Sequence, residues 1–348
     1  MRRNKAVVMG VIFTLGVGVL AGCAKSSPVT QGAEVTTQPP ADASGSESIT
    51  LKFAYDDSES QPYYAGISAF KEMVEEKTEG KVNVEIYPNA QLGNARDTIE
   101  GLSLGTVDCV FASTAGVSQF VPEFSIMDAP FLFNDAEHAD ACVDGKLGEK
   151  LKEAAQTAQK IKILGFMDTG FRHVFSKKNI EDLSGFKGVK IRTMESEIQQ
   201  ATFDSLGAIA TPMASSEVFT ALQQGTIDAA ENSFSYILNK KMYENCDYVI
   251  KTGHSYAFAC IMISDASFAK LTEEQQKIVL EAGDHAIEVE RESVAKMNDE
   301  SEKKLQDELG VKMIDIDRDQ LREAVQPLYE KYAELLNPEL VEIVKSYE

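Results

Sequence analysis

The sequence is poor in the residues and motifs that carry out chemistry in enzymes and metal proteins. Its 348 residues include only four histidines, and no two of them have the HxxxH spacing of a helical zinc site. No Walker phosphate-binding loop and no zinc signature is present. An enzyme built from this chain would have to depend on scattered carboxylates. These absences favour a protein that binds a partner without transforming it, and they give no support for a metal. The histidines are His138, His173, His254 and His285.

Cysteine is scarce as well. The chain has five cysteines, none of them in a CxxC motif, and one of the five lies close to the N-terminus. The other four are widely spaced. In an exported protein they are compatible with disulfides, and they are equally compatible with buried free thiols. The four are Cys109, Cys142, Cys246 and Cys260.

Positively charged residues are also few. The chain carries 34 Lys and Arg against 55 Asp and Glu, for a net charge of −21. Such a surface repels nucleic acid and anionic lipid, so we expect no nucleic-acid partner. Only six arginines follow residue 22, and two of these, Arg172 and Arg192, lie in one short segment. Two arginines so close together in an acidic protein require an explanation.

The N-terminus has the layout of a secretion signal rather than of a membrane-spanning helix. A basic start is followed by an apolar run from Ala6 to Val19 and then by Leu-Ala-Gly-Cys23. The last four residues match a bacterial lipobox, which predicts a signal peptide over 1–22, a diacylated Cys23 and a lipid anchor in the membrane. An ordinary leader with a chance cysteine is the alternative. Residues 23–48 are rich in Ser, Thr, Gln, Pro and Gly, and they predict a flexible tether.

The two arginines each stand beside hydrophobic neighbours in a short apolar run. Strand alternation would direct one face of each run into a core and the guanidinium to the other face. A guanidinium keeps its charge when it is buried, so it requires an anion, and its planar donors fit a carboxylate. Either each arginine pairs with a structural Asp or Glu, or the two bind an anionic ligand.

The periodicity of the chain beyond residue 48 predicts alternating strands and helices. A strand over 49–55, a helix opened by Pro62 and a strand over 82–86 indicate a right-handed crossover and a largely parallel sheet. Further along, we expect a helix over 135–158 and separate strands over 161–166 and 171–175. A capping box at Thr272 and Gln275 predicts a long helix that continues to Leu309.

A short pattern occurs twice in the sequence. Gly105-Thr106-Val107-Asp108 follows one predicted helix, and Gly225-Thr226-Ile227-Asp228 follows another. Coincidence is one interpretation. The other is a repeat that builds two similar α/β lobes, in which each strand leads to the sheet edge where open α/β sheets bind ligands.

Three segments resemble the solute-binding proteins of tripartite ATP-independent periplasmic (TRAP) transporters, in the order found in that family. They are YPNAQLGNARDTIEGLSLGTVD, FRHVFSKKNIEDLSGFKGVKIRT and TPMASSEVFTALQQGTIDAAENS. The resemblance covers residues 49–347. It implies a two-lobed, periplasmic-binding-protein-like α/β fold with a central ligand cleft and a long helix bracing both lobes. We place lobe I at 49–170 with parts of 255–300, and lobe II at 171–254 with parts of 300–348.

The resemblance also implies a function and a set of ligand contacts. The protein would be an extracytoplasmic receptor, without a cofactor, that binds an organic acid and delivers it to membrane permease subunits. The arginine of the family's K-I-R motif, which clamps the substrate carboxylate, matches Arg192, and the upstream arginine matches Arg172. The asparagine of the family's Q/A-E-N motif matches Asn232. Asp56 and Ser113 fall where the family reaches the ligand from the first lobe.

One departure from the family bears on the ligand. Ser215 stands where many members carry an aromatic residue, which predicts a more polar pocket. Polar contacts favour a polyhydroxylated acid such as a uronate or an aldonate, because a plain acid would leave buried donors unpaired. A C4-dicarboxylate is the alternative ligand. A sensor that presents its ligand to a membrane kinase, and an extracellular enzyme, are the alternative functions.

Overall fold

The computed structural model describes residues 48–347; the predicted signal peptide, Cys23 and nearly all of the predicted tether lie outside this range. The strands are β1 (Ile49–Tyr55), β2 (Val82–Tyr87), β3 (Cys109–Ser113), β4 (Ile161–Ser176), β5 (Lys190–Thr193), β6 (Ile209–Pro212), β7 (Ala229–Asn232), β8 (Tyr248–Ser264) and β9 (Lys312–Ile314). The helices are α1 (Tyr64–Lys77), α2 (Ala95–Leu104), α3 (Thr114–Ser118), α4 (Ala136–Asp144), α5 (Lys146–Gln159), α6 (Glu197–Ser205), α7 (Val218–Gln224), α8 (Phe234–Asn239), α9 (Asp265–Phe268), α10 (Glu273–Asp307), α11 (Arg318–Val325), α12 (Pro327–Lys331), α13 (Ala333–Leu336) and α14 (Pro338–Lys345).

The sheet is mixed: the expected parallel crossover is present between β1 and β2, but the expectation of parallel strands does not hold at the centre of the sheet. Its strand order is β2-β1-β3-β8-β4-β7-β5-β6, with β9 paired to β8. The pairs toward the two ends are parallel, but β3–β8, β8–β4 and β4–β7 are antiparallel. The reason is that β4 and β8, of 16 and 17 residues, run side by side in opposite directions through the centre. These two strands join the two halves of the molecule.

Two further boundary predictions are wrong, and glycine is the cause in both cases. The separate strands expected over 161–166 and 171–175 form the single strand β4, because the irregularities next to Gly165 and Gly170 are bulges that preserve pairing with β8. Gly170 has a φ of +83°. The helix expected over 135–158 is instead two helices, α4 and α5, because Gly145 between them has non-helical dihedrals of −107° and −143°.

The repeated Gly-Thr-x-Asp pattern is confirmed as a structural repeat. Gly105 and Gly225 each end a helix in the left-handed conformation with a φ of +72°. The backbone N–H of Asp108 donates to the carbonyl of Lys52, and the carboxylate of Asp108 accepts from the N–H of the same lysine. Asp228 makes the same two bonds with Lys190. In this way β3 is fixed to β1 as β7 is fixed to β5, and both strands lead toward the same cleft.

The long helix is also confirmed. α10 begins at the predicted capping box, where Thr272 and Gln275 exchange side-chain bonds, and it runs for 35 residues. It packs against α1 and α8, which belong to opposite halves of the molecule, and against β4 between them. The packing on α1 is close, since a Cβ placed on Gly66 would lie 2.5 Å from the carbonyl oxygen of Ala286. None of the helices within residues 48–347 has both the length and the apolar character needed to cross a membrane.

The four cysteines of the described chain lie in the core. Cys109, Cys246 and Cys260 are buried free thiols, and burial raises the pKa of each thiol. The Sγ of Cys142, also buried, donates to the carbonyl of Val344 at 3.8 Å. Of the two interpretations of these cysteines, the structure bears out buried thiols.

The close packing of α1 on α10 gives a stability prediction. Gly66→Ala should lower the free energy of unfolding by about 1–3 kcal/mol, because the new methyl overlaps backbone in a well-packed contact. Urea unfolding followed by circular dichroism measures the change. Gly116→Ala serves as the matched control, since its Cβ would meet only side-chain atoms at 3.5–3.7 Å. Equal stability of Gly66→Ala and the parent would contradict the proposed packing constraint.

Candidate functional site

Two adjoining pockets lie where the central strands meet the ends of β1, β3, β5 and β7. The inner pocket is lined by all six residues that the sequence predicted as ligand contacts: Asp56, Ser113, Arg172, Arg192, Ser215 and Asn232. The outer pocket shares five of the inner pocket's lining residues, including Arg192, and adds Asn94 and Arg96 on its far side. Each pocket has a volume of about 90 Å³, well below the roughly 300–1,000 Å³ of sites for drug-sized ligands, so the site suits a small ligand only.

Arg192 is a buried cation without a carboxylate partner. It lies on β5, where Ile191 enters the core and the guanidinium points to the opposite face, and it is 3% exposed. Its Nε and Nη2 donate to the carbonyl of Met213 at 3.0 and 2.7 Å. No Asp or Glu of residues 48–347 lies within 4.0 Å of it, and Nη1 donates to none of these residues. Burial lowers the pKa of Arg192, which is the expected cost of a buried charge without a counter-ion.

Arg172 is equally buried but is paired within the protein. Its Nε and Nη2 donate to the two carboxylate oxygens of Glu231 at 2.5 and 2.7 Å. The strand register explains the pair, because Val174 on β4 lies opposite Glu231 on β7. Nη1 donates to the Oδ1 of Asn232 at 3.3 Å. For this arginine the structural-partner interpretation is therefore correct, although the side chain also lines the inner pocket.

Glu231 is held as an anion in the core. Burial disfavours its charged form, but the Arg172 guanidinium outweighs that effect and lowers the pKa of Glu231 to about 2. The Nε2 of His254 lies 3.4 Å from the same carboxylate. The Nδ1 of His254 is in turn 2.8 Å from the Thr252 hydroxyl. This chain of contacts fixes Arg172 and leaves Arg192 as the cation of the inner pocket that, among the described residues, has free donors.

The other polar groups of the site come from both sides of the cleft. The Oδ1 of Asn232 accepts from Arg172 and from the N–H of Ser233, so its amide NH₂ remains for a ligand. Ser215 and Tyr236 share a hydrogen bond of 2.9 Å. Ser113 ends β3 and caps α3 by accepting from Gly116. Because hydroxyl and amide groups both donate and accept, these residues suit a ligand rich in hydroxyls.

Besides Asp57 in the inner pocket and Glu195 in the outer one, the site has one acidic residue that lines both pockets, Asp56. It follows β1, is half-buried, and lines both pockets together with Arg192. Burial, followed by repulsion from Asp57, raises its pKa to about 6. It makes no ion pair with the residues that the structure describes. At neutral pH it therefore presents an ionised carboxylate, which accepts hydrogen bonds from hydroxyls and repels a second anion.

The described chain offers no support for a metal or for a nucleophile. Within residues 48–347 no group of three His, Cys, Asp or Glu side chains is arranged to hold a metal ion. Residues 101–105 have GxSxG spacing, but Ser103 lies inside α2 and its Oγ donates to the carbonyl of Gln159. A nucleophile elbow requires a sharp turn between a strand and a helix, and Ser103 is not on one.

Two lining residues, Tyr236 and Arg96, and the partner of a third, Glu231, were not predicted from the sequence. Glu231 directly precedes Asn232, and the AEN motif contained it, but its role depends on strand register. Tyr236 lies four residues beyond Asn232, on the buried face of α8. Predicting a helix for that segment would have placed Tyr236 on the same side as Asn232. Nothing in the sequence pointed to Arg96, in the first turn of α2, except that the chain has few arginines.

Comparisons with known proteins agree with this geometry. The family model for DctP, described as bacterial extracellular solute-binding protein, family 7, matches residues 53–335. The 2,3-diketo-L-gulonate-binding periplasmic protein YiaO of Escherichia coli K12 is 31% identical over 281 residues, covering 79% of this chain and 84% of YiaO. The C4-dicarboxylate-binding periplasmic protein DctP of Rhodobacter capsulatus is 28% identical, covering 86% and 91% of the two chains.

A solved structure gives the same result in three dimensions. The TRAP periplasmic solute-binding protein of Xanthobacter autotrophicus Py2, crystallised with bound β-D-galacturonate, superposes with a TM-score of 0.81 at 31% identity. The match covers 85% of this chain and 98% of that protein. It confirms the two-lobed periplasmic-binding-protein fold. The chain therefore belongs to bacterial extracellular solute-binding protein family 7, a family of extracytoplasmic transport receptors whose relatives bind small organic acids and act with TRAP permeases.

Proposed function

We propose that this protein binds the monoanion of a sugar acid, of the uronate class, and delivers it to a TRAP permease. The observation that carries the proposal is Arg192, which is 3% exposed and has no carboxylate partner in the described chain. A ligand carboxylate that bonds to its free Nη1 edge would supply the missing counter-ion. The protein would perform no chemistry on its ligand.

The distribution of charge in the inner pocket favours one carboxylate over two. Arg172 is neutralised by Glu231, and Asp56 and Asp57 line the same pocket as Arg192. A C4-dicarboxylate would bring its second carboxylate beside these acidic residues, because among the described residues the other unpaired cation of the two pockets, Arg96, is exposed and lines only the outer pocket. A uronate or aldonate would instead offer hydroxyls to Asp56, Asn232 and Ser215. One relative is named for binding a C4-dicarboxylate, whereas the Xanthobacter relative was crystallised with β-D-galacturonate. The second finding agrees with the charge argument.

The remaining parts of the proposal concern the place of action. We propose that Cys23 carries the lipid anchor and that residues 23–48 form the tether, which would hold the receptor at the outer face of a membrane beside its permease. Lobe I over 49–170 and lobe II over 171–254 would close on the ligand, with the central strands β4 and β8 as the hinge. Closure excludes water and thereby strengthens the Arg192–carboxylate pair.

Removing the clamp should abolish tight binding. Arg192→Ala leaves a bound carboxylate unpaired, so we expect D-galacturonate affinity to fall by about 3–5 kcal/mol, or roughly 150- to 5,000-fold. Isothermal titration calorimetry measures the change. Arg322→Ala is the matched control, since Arg322 is exposed and lies outside both pockets. Binding by Arg192→Ala within a few-fold of the parent would contradict the role of Arg192.

Asp56 should make the protein bind sugar monoacids more tightly than sugar diacids. Asp56→Asn removes an ionised acceptor, so galacturonate affinity should fall by about 1.5–3 kcal/mol while affinity for galactarate, the matching diacid, rises. In the parent protein, galacturonate binding should weaken as pH falls through about 6, where Asp56 becomes protonated. Calorimetry with both ligands above and below that pH measures both effects. A parent protein that prefers galactarate would show that the receptor is built for a dicarboxylate.

A further inference from the structure

An ion pair at the edge of the cleft joins the two walls of the site. The Nζ of Lys240, directly after α8, contacts the Oδ1 of Asp57, which is in the loop after β1. Their side chains are only 28% and 14% exposed. Burial alone would disfavour the lysine charge, but attraction to Asp57 outweighs it and raises the pKa of Lys240. The pair is therefore better shielded from water than the exposed ion pairs of the surface, which contribute little.

A second contact runs beside this ion pair. The Nδ2 of Asn239, the last residue of α8, donates to the carbonyl of Ser60 at 3.1 Å. The loop is itself fixed at Asp57, whose carbonyl accepts from the N–H of Asn89 and whose Oδ1 accepts from the N–H of Ser58. The end of α8 is thus attached at two points to the loop over 56–61.

One partner of the ion pair lines the inner pocket, and the other is close to a residue that does. Asp57 lines the inner pocket directly after Asp56, which lines both pockets. Lys240 lies one helical turn beyond Tyr236, which lines the inner pocket and bonds to Ser215. The N-terminal end of α8 follows Asn232 directly. The contact therefore fixes the ligand-facing groups of one wall relative to those of the other.

The chemistry of the two partners also fits a contact that opens and closes. A lysine at the C-terminal end of a helix is favoured by the helix dipole, so Lys240 remains charged when the pair separates. Both groups return to water without leaving an unsatisfied bond in the core. Such a contact can break when the ligand leaves, whereas the buried Arg172–Glu231 pair remains intact within one side of the cleft.

We propose that Lys240 and Asp57 are positioning residues that hold the cleft closed over the ligand, without touching the ligand's carboxylate. This inference rests on the proposed function, because the ligand is taken to be a sugar acid bound between Arg192 and Asp56. Breaking the pair should accelerate ligand release more than it alters association, since the pair stabilises the closed cleft, which the ligand-free protein also populates and which the ligand favours.

The test compares three variants with a control. Lys240→Met and Asp57→Asn should each weaken D-galacturonate binding about tenfold, mainly through a faster dissociation rate. The exchanged pair, Asp57→Lys with Lys240→Asp, should recover affinity to within about threefold of the parent. Lys77→Met breaks the 2.8 Å bond from Lys77 to Glu281 far from the cleft, and it should bind like the parent. Stopped-flow and calorimetry supply the rates and affinities.

Two outcomes would overturn the inference. One is a Lys240→Met protein that releases galacturonate no faster than Lys77→Met does. The other is an exchanged pair that binds no better than the worse single variant. Thermal unfolding of each variant shows whether it is folded. If the Asp57→Asn protein does not fold, the Lys240→Met protein alone is enough to test the inference.

A parent protein that binds no sugar acid would refute the proposed function but would leave the ion pair testable. Hydrogen exchange of the ligand-free protein then decides. In Lys240→Met, exchange should accelerate together over residues 56–61 and 234–240 and remain unchanged around Lys77. Unchanged exchange in both segments would contradict the contact itself.

Discussion

The structure depends on a buried cation, Arg192, to which the described chain offers no carboxylate. Arg192 is placed by β5 in a buried position, and the described chain satisfies it with one backbone carbonyl instead of a carboxylate. Burying a charge without a counter-ion is costly, and the protein retains that cost in the ligand-free state. In the proposed function this cost becomes affinity, because a bound anion would relieve it.

The contrast with Arg172 shows that this arrangement is specific. The two arginines have the same exposure and line the same pocket, yet Arg172 has a carboxylate from the adjacent strand. Because that pair is complete, we propose that Arg172 contributes shape and a hydrogen-bond network, whereas Arg192 attracts the ligand. In this proposal Asp56 limits the attraction to one charge. Local geometry would then select a monoanion although the overall field of the acidic protein repels anions.

The sequence indicated the site better than it indicated the sheet. The structure brings the predicted contacts Arg192, Asn232 and Ser113 to one pocket, as expected from strand ends that face one edge of an open α/β sheet and from motifs that resemble a known family. The pairing of Arg172 was open, since its partner Glu231 is 59 residues away and only strand register brings the two together. The antiparallel centre was missed because glycines in β4 look like strand breaks in a sequence but act as bulges in the sheet. The contact between Lys240 and Asp57 had no local signal at all.

The most direct test of this account is a crystal structure of the protein with bound D-galacturonate. We expect the ligand carboxylate within hydrogen-bond distance of the Nη1 of Arg192, the sugar hydroxyls facing Asp56 and Asn232, and the Arg172–Glu231 pair unchanged. A structure in which Arg192 is paired with a carboxylate of the protein, with the ligand carboxylate bound elsewhere, would contradict the central claim.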